Sequence, residues 1–304
     1  MTTLLSARPA GAATAAVDDV VEVTVDAPPA WVRRAGGRPA RWRMHARAGG
    51  MRAGAVRRPP VVLVHGLVVA SGLVAPLAER LATDGPVFAP DLPGCGRSDK
   101  PEPVPDIGEL GDALAAWCRA VVGEPAVLVG VSIGSQVVVS AATRAPGTAA
   151  AVVLVGPTVD DRRRSWWAQL PRWQAEQATQ SWRTRVLQAR DYARAGVPRA
   201  LRTFRAAMDH RPEDDVVHLT VPALVCWGSR DPLVRREWAQ HLADLAPNGR
   251  LAVLPGVVHA ATAENPVETA RVLNGFLDDV PGLLEHRVQA GDGSDDRRRE
   301  AVPT

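Results

Sequence analysis

Short, continuous runs of apolar residues recur along the chain from residue 61 onward. They are rich in valine, leucine and alanine, and each is four or five residues long: 61–64, 86–90, 126–129, 151–155, 223–227 and 251–254. Continuous runs of this length are typical of strands that are buried on both faces of a parallel sheet. The pattern therefore predicts a set of buried parallel strands.

Segments in which apolar residues recur at helical spacing lie between these runs, at about 74–83, 107–122, 134–145, 235–246 and 266–279. Strands that alternate with helices in this order predict an α/β fold with a doubly wound, mostly parallel sheet. Two earlier segments, 21–25 and 41–47, instead alternate between apolar and polar residues. That alternation indicates half-exposed strands near an edge of the sheet.

One long segment interrupts the alternation of strands and helices. Residues 160–215 contain no apolar run of strand type and are rich in Trp, Arg, Gln and Ala. We expect this segment to form a helical cap that is inserted into a core made of residues 20–159 and 216–285. Residues 1–19 and 286–304 are expected to be a disordered leader and a disordered tail.

Composition excludes several classes of protein. The chain has 304 residues, of which 46% are hydrophobic and 23% charged, so it is not an intrinsically disordered protein. It has no run of 18 apolar residues and no secretory signal pattern, so neither a membrane span nor export is expected. The net charge of +3 is too small to indicate a nucleic-acid partner. Three cysteines without CxxC spacing favour a reducing cytoplasm.

The strongest chemical signal is the sequence Gly-Val-Ser-Ile-Gly at residues 130–134. It follows the predicted strand 126–129 and precedes a predicted helix, which is the setting that a nucleophile elbow requires. The serine of such an elbow sits on a sharp turn, so its neighbours two residues away must lack bulk, as Gly130 and Gly134 do. Ser132 is therefore the predicted nucleophile, at a helix N-terminus that favours developing negative charge.

A serine hydroxyl needs a base, and the base needs a carboxylate that orients it. His259 is the predicted base, because it lies in a short loop beyond the strand 251–254. Asp231 is the predicted carboxylate, because it follows the strand 223–227 in the same way. Asp160 or Asp161, just past the strand 151–155, remains an alternative for this role.

An oxyanion hole requires two backbone N–H groups. The N–H of Ile133, directly after the nucleophile, is expected to provide one. The N–H of Leu67, in the loop after the first buried strand, is expected to provide the other. His65 in the same loop is interpreted as structural, with a ring that holds the loop through hydrogen bonds.

Together these motifs resemble those of the α/β-hydrolase superfamily, over a stretch from about Pro60 to Asp279. Besides the elbow and the His-Gly pair at 65–66, the chain carries Asp-Leu-Pro-Gly-Cys-Gly-Arg-Ser at 91–98, a Gly-Ser-Arg-Asp-Pro loop at 228–232 and a Pro-Gly-Val-Val-His loop at 255–259. The resemblance implies that loop 91–98 helps to shape the pocket floor. It also implies the chain order nucleophile, acid, base, which Ser132, Asp231 and His259 follow.

Members with a helical cap in this position include small-molecule esterases, C–C bond hydrolases and cofactor-free haloperoxidases. Haloalkane dehalogenases and epoxide hydrolases of the same superfamily use an aspartate nucleophile, and Ser132 argues against both. The resemblance therefore narrows the chemistry to that of a serine nucleophile, and it does not identify the substrate.

Two features of the cap are open to more than one interpretation. Four tryptophans could wall an apolar substrate pocket or could pack the cap onto the core: Trp166, Trp167, Trp173 and Trp182. Eleven arginines between residues 162 and 205 could steer an anionic substrate or could form a solvated face. Lys100 is the only lysine of the chain, which indicates a codon bias toward arginine and favours the solvated face.

The sequence thus predicts a cytoplasmic serine hydrolase that needs no cofactor or metal and acts on a small molecule. We expect it to cleave a carboxylic ester of a largely apolar compound through an acyl-enzyme. C–C bond hydrolysis or perhydrolysis by the same triad is the alternative within enzymes. A non-catalytic ligand-binding protein on the same scaffold is the alternative from a different class.

Overall fold

In the computed structural model, which describes residues 16–50 and 58–280, eight strands form a single sheet. The strands are β1 (Asp19–Asp26), β2 (Arg41–Gly49), β3 (Val61–Val64), β4 (Val87–Pro90), β5 (Ala126–Val131), β6 (Ala149–Val155), β7 (Ala223–Gly228) and β8 (Gly249–Leu254). Their order across the sheet is β1-β2-β4-β3-β5-β6-β7-β8. β1 and β2 are antiparallel to their neighbours, and all other pairs are parallel. The predicted doubly wound, mostly parallel sheet is confirmed.

Eleven α-helices belong to the described ranges. They are α1 (Pro29–Arg34), α2 (Ala75–Leu81), α3 (Ile107–Val121), α4 (Gly134–Arg144), α5 (Trp166–Thr179), α6 (Trp182–Ala195), α7 (Val197–Asp209), α8 (Pro212–Val216), α9 (Arg236–Leu245), α10 (Ala261–Glu264) and α11 (Pro266–Asp279). The helices that the sequence predicts outside residues 160–215 correspond to α2, α3, α4, α9 and α11. The short helix α1 was not predicted.

The buried strands separate two apolar clusters, one on each face of the sheet. In β3, Val62 and Val64 belong to one cluster, whereas Val61 and Leu63 belong to the other. Successive side chains of a strand point to opposite faces, so a continuous apolar run is what a sheet covered on both sides requires. This arrangement leaves the ends of the strands as the places where polar chemistry can be carried.

Residues 160–215 contain helices α5 to α8 and no strand, as the sequence predicts for the cap. Serines cap two of these helices: the side chain of Ser165 accepts from the N–H of Ala168, and that of Ser181 accepts from the N–H of Thr184. Such caps satisfy N–H groups that the first helical turn leaves without partners. We use the name "the cap" for residues 160–215 from here on.

The end of the predicted disordered leader is wrong. Val17 is buried against the sheet, and β1 begins at Asp19. The burial of Val17 holds the chain against the sheet just before the edge strand β1, so regular structure begins earlier than predicted. The Ala/Thr-rich sequence before Val17 gives no sign of this. The rest of the leader, residues 1–15, and the predicted tail, residues 286–304, lie outside the described residues. None of the helices within the described ranges is long and apolar enough to cross a membrane.

Candidate active site

The parallel strands deliver their following loops to one edge of the sheet. The chain runs from β3 to β4 on one side and then returns to β5 on the other, so β3 and β5 are neighbours at a switch of direction. Open α/β sheets bind ligands in the crevice outside the carboxyl ends of strands at such a point. Leu67 follows β3 and Ser132 follows β5, which places both at this crevice.

Ser132 sits on a tight turn with a backbone φ of +57°, a left-handed conformation that non-glycine residues rarely adopt. The turn is possible because of its two glycines. A Cβ on Gly130 would lie 2.4 Å from the carbonyl oxygen of Gly134, and a Cβ on Gly134 would lie 2.5 Å from the carbonyl oxygens of Val64 and His65. The turn is therefore pressed against the end of β3, and only glycine fits on both sides of the serine.

His259 and Asp231 form a hydrogen-bonded pair. The ring Nδ1 of His259 lies 2.8 Å from Oδ2 of Asp231, whose side chain is fully buried. The other carboxylate oxygen, Oδ1, accepts from the backbone N–H groups of Leu233 and Val234. Because the carboxylate is held from both sides, it fixes the ring so that Nε2 is free to act as a base.

The two loops that carry this pair are joined to each other. The N–H of Ser229 donates to the carbonyl of Leu254, and the N–H of Arg230 donates to the carbonyl of Val257. The N–H of Gly256 donates to the hydroxyl of Ser229. Three hydrogen bonds thus connect the acid loop with the base loop, so the geometry of the pair follows from the backbone.

The pKa of His259 is raised above its ordinary value. Burial alone lowers the pKa, because it disfavours the charged imidazolium. The charge and hydrogen bond of Asp231, together with the charge of Glu176, act in the opposite direction and prevail. The site therefore stabilises the imidazolium that a general base becomes during catalysis.

The backbone N–H groups of Leu67 and Ile133 are available as donors. Among the backbone hydrogen bonds of the described residues, none uses either N–H group. Both residues line the same cavity as Ser132 and His259. A Cβ on Gly66 would lie 3.3 Å from the Cβ of Ser132, so the loop after β3 passes directly beside the predicted nucleophile. This arrangement suits an oxyanion hole.

Two residues of the loop after β6 belong to the site and were missed by sequence reasoning. The hydroxyl of Thr158 lies 3.2 Å from that of Ser132. Gly156 has a φ of +56°, and a Cβ there would lie 3.0 Å from Nδ1 of His259 and 3.2 Å from Oδ2 of Asp231. The available signal was their position: Gly-Pro-Thr directly follows a buried strand, as the other site residues do.

The structure gives the alternative acids a different partner. Asp160 forms an ion pair with Arg235 through both carboxylate oxygens, and one guanidinium nitrogen of Arg235 lies 3.7 Å from Asp161. His65, as predicted, holds loops together: its Nε2 accepts from the N–H of Leu92, and its Nδ1 lies 2.9 Å from the carbonyl of Gly66. Asp231 is therefore the carboxylate that the fold brings to His259.

A cavity of about 420 Å³ lies between the sheet edge and the cap, and Ser132 and His259 open into it. Helix α5 of the cap contributes Trp173 to its wall. Trp167 and Trp182 are not among the lining residues and are 86% and 65% exposed. This corrects their assignment as pocket residues. The side chain of Trp166 lies outside the described residues.

The loop 91–98 does not contribute to the described wall of the cavity, in contrast to what the resemblance implies. Asp91 instead accepts from the N–H groups of Ser71 and Arg97 and fixes the loop itself. Cys95 in this loop, Cys118 and Cys226 are free and buried, and burial raises the pKa of each thiol to about 12. A thiol with such a pKa is not a nucleophile at neutral pH.

Comparisons with known proteins show which family the chain is similar to. The model of the alpha/beta hydrolase family matches residues 61–272. A pimeloyl-(acyl-carrier protein) methyl ester esterase of Xylella fastidiosa is 25% identical over 251 residues, which cover 73% of this chain and 96% of the relative. A 2-(acetamidomethylene)succinate hydrolase of Mesorhizobium japonicum is 25% identical over 249 residues, which cover 72% and 88%.

Among solved structures, a thermophilic esterase from Thermogutta terrifontis superimposes with a TM-score of 0.66 at 18% identity, covering 84% of this chain and 98% of that one. At this level of identity, the likeness concerns the fold. The family model spans the parallel strands, the elbow, the cap and the loops that carry Asp231 and His259. The chain therefore belongs to the α/β hydrolase family.

Proposed function

We propose that the protein is a serine hydrolase that cleaves carboxylic esters of small, largely apolar molecules through an acyl-enzyme. The observation that carries the proposal is the buried pair of His259 and Asp231, 2.8 Å apart, which shares one cavity with the elbow serine Ser132. A nucleophile, a base and an orienting carboxylate are the complete set that acyl transfer requires, so no cofactor or metal takes part in the proposed steps.

In the proposed reaction, the hydroxyl of Ser132 turns from Thr158 toward His259 and attacks the ester carbonyl. His259 takes the serine proton, and Asp231 stabilises the imidazolium. The N–H groups of Leu67 and Ile133 hold the oxyanion of the tetrahedral intermediate. His259 then gives its proton to the leaving alcohol, and the acyl group remains on Ser132.

Water completes the cycle. His259 takes a proton from a water molecule, which attacks the acyl carbonyl and forms a second tetrahedral intermediate in the same oxyanion hole. Collapse of this intermediate releases the acid and returns the proton to Ser132. The same residues thus serve both half-reactions, as the symmetry of acyl transfer requires.

Two observations support an ester as the substrate. The wall of the cavity is mainly apolar, with Leu67, Val159, Leu170, Leu201 and Phe204 among its residues, which suits an apolar acyl or alcohol group. Esterases are among the relatives in both comparisons. We further propose that the protein acts in the cytoplasm, since its three free cysteines fit a reducing compartment.

Labelling with a fluorophosphonate probe tests the nucleophile directly. The probe should label the protein at Ser132, and Ser132→Ala should abolish labelling and lower kcat by roughly 10³-fold or more, since the nucleophilic oxygen is removed. Ser140→Ala is a matched control, because Ser140 is a buried serine of helix α4 that does not line the cavity.

A panel of ester substrates distinguishes the proposed function from its alternatives. p-Nitrophenyl esters of increasing acyl length should be cleaved, with a preference for chains longer than acetate. A protein that binds ester analogues without labelling or turnover would be a non-catalytic ligand-binding protein. Labelling without cleavage of any ester would point to C–C bond hydrolysis or perhydrolysis by the same triad.

A further inference from the structure

The cavity carries an unusual balance of charge. Among its described lining residues there is no lysine or arginine, and Glu176 is the one carboxylate and His259 the one imidazole. This contrasts with the cap as a whole, whose sequence holds eleven arginines between residues 162 and 205. The basic character of the cap therefore does not extend to the wall that a substrate would meet.

Several arginines of the cap bind other groups of the protein. Arg164 pairs with Glu213 at 2.5 Å, and Arg199 pairs with Glu102 at 2.8 Å. Arg172 donates to the carbonyl of Leu233. These contacts hold the cap together and fasten it to the core, so they do not offer a cation to the cavity.

Glu176 is buried without a cationic partner. It is 2% exposed, and no lysine or arginine in the described ranges forms an ion pair with it. Its Oε1 accepts from the N–H of Ala260 at 3.1 Å and from the amide of Gln180 at 3.0 Å. Its Oε2 lies 3.2 Å from the hydroxyl of Thr179, whose shorter bond of 2.8 Å goes to the backbone carbonyl of Glu176. Buried carboxylates are usually paired with a cation, so neutral donors in its place leave a negative charge in the wall.

The bond to Ala260 links this charge to the catalytic loop. Ala260 directly follows His259, and Glu176 belongs to helix α5 of the cap. Asp231 reaches the ring of His259 from the loop after β7, whereas Glu176 approaches from the cap. These two carboxylates are the charged groups that face His259 from the elements packed around it.

We propose that Glu176 determines which esters this site accepts and also positions the base loop. It makes the cavity accept uncharged esters and reject esters that carry a carboxylate. It also holds the base loop from the cap side. This inference rests on the proposed function, because it concerns the substrate of the same site. A second carboxylate that enters the cavity loses its hydration, meets no cation and is repelled by Glu176. The same negative charge favours the imidazolium of His259.

The test compares two substrates that differ in charge and by one methyl group, and the change in their ratio between variants isolates the effect of charge. Mono-p-nitrophenyl adipate carries a free carboxylate, and p-nitrophenyl methyl adipate is its uncharged counterpart. We expect the wild-type protein to cleave the methyl ester with a kcat/KM at least about tenfold higher, from the repulsion between two poorly screened carboxylates. Glu176→Gln, which removes the charge and keeps the shape, should narrow this ratio at least about fivefold.

Glu264→Gln is the matched control. Glu264 in helix α10 also ties the cap to the core through a carboxylate and a backbone N–H, that of Ser181, but it does not line the cavity. This variant should leave the substrate ratio and the pH profile unchanged. Glu176→Gln should instead move the acid limb of the kcat/KM profile to lower pH, because the imidazolium loses one of its two stabilising charges.

The ratio within one preparation does not depend on the fraction of folded enzyme, so a partly unfolded variant still gives a result. A second variant provides the test if Glu176→Gln does not fold at all. Gln177→Lys, in the same wall, should also narrow the ratio by supplying a cation. Equal cleavage of both adipates by the wild type, or an unchanged ratio in Glu176→Gln, overturns this inference while labelling of Ser132 upholds the proposed function. If Glu176→Gln yields no folded protein, an unchanged ratio in Gln177→Lys overturns it. Absence of both labelling and turnover overturns the proposed function and this inference with it.

Discussion

The two sides of the cavity are built in different ways. On the sheet side, Ser132, Asp231 and His259 each follow a parallel strand within a few residues, and backbone hydrogen bonds fix their loops. The strands before Ser132 and Asp231 are buried, whereas β8, before His259, is half-exposed except at Leu254. On the cap side, Trp173 and Glu176 project from one face of a helix whose neighbouring tryptophan, Trp167, points to solvent. The sheet-side loops are fixed by backbone hydrogen bonds, whereas on the cap side Glu176 is held through hydrogen bonds of its own side chain and Trp173 remains 42% exposed.

This difference separates the groups that we propose to carry out the reaction from those that we propose to select the substrate. Groups that must meet within hydrogen-bond distance lie on loops that the sheet holds in place, because small displacements there are costly to catalysis. Groups that we propose to select the substrate lie on the helices of the cap, and of these Glu176 also contacts the base loop, through the N–H of Ala260. Changes on the sheet side should therefore affect turnover of every ester, and changes on the cap side should affect the ranking of esters.

Asp231→Asn should have the largest effect on the sheet side. The amide can stabilise the wrong tautomer of His259, so we expect kcat to fall on the order of 10⁴-fold for all esters. Asp160→Asn, which removes the partner of Arg235 instead, should keep kcat within about tenfold of the wild type, since that carboxylate does not contact His259. Steady-state kinetics on two esters checks both. The reverse order would assign the orienting carboxylate to the loop after β6.

Gly134→Ala should have the next largest effect. The new Cβ would lie 2.5 Å from two backbone oxygens at the end of β3, so the elbow must move. A displacement of about 1 Å at the nucleophile can cost about 10²-fold in rate, and we expect a loss of this size. Gly275→Ala in helix α11 is the control, because a Cβ there meets nothing within 4 Å. Activity of the Gly134 variant close to that of the control would show that the elbow tolerates a side chain.

Trp173→Ala should change the ranking of esters rather than the overall rate. This side chain lines the cavity, so its loss should weaken the preference for long acyl chains by roughly tenfold, equivalent to about two methylene groups at 0.8 kcal/mol each. Trp167→Ala should leave both the ranking and the melting temperature unchanged, because Trp167 is 86% exposed. An unchanged ranking in the Trp173 variant would remove the support for an apolar acyl pocket.

The smallest of the expected effects on activity at neutral pH comes from the titration of His259. His259 acts as a base only when neutral, and its pKa lies above the ordinary value of 6.5. The acid limb of the kcat/KM profile should therefore lie above pH 6.5, with activity rising as pH rises through the pKa of His259. Titration of kcat/KM between pH 5 and 9 with an uncharged ester measures this. A limb below pH 6.5 would mean that burial outweighs the two carboxylates.

The sheet side could be predicted from the sequence because its signals are local. The pattern of an apolar strand run followed by a glycine-flanked serine predicts Ser132 without reference to distant residues. An apolar strand run followed by a short loop predicts His259 in the same local way. Thr158 and Gly156 carry no such signal, since their roles depend on residues from other loops. The available pattern was only that they follow β6.

The cap side could be predicted only in outline. Its helical content follows from the absence of apolar strand runs, but the direction in which each tryptophan points depends on how the helices pack. Trp173 and Trp167 lie six residues apart on one helix, so they cannot share a face. Composition also left open whether the cap arginines steer an anionic substrate or form a solvated face, whereas the structure pairs Arg164 and Arg199 with glutamates.

The hydrogen bonds between the acid loop and the base loop have a consequence for engineering. Asp231 and His259 are 28 residues apart and belong to one continuous β7–α9–β8 segment, residues 223–260. Their mutual geometry is set within that segment, while the serine arrives from a separate part of the sheet. The segment is therefore a transplantable unit: a chimera that exchanges it between relatives would carry the proposed base and its orienting acid together. Alignment with the recipient's serine and the contact of Ala260 with the cap would then be the quantities to optimise.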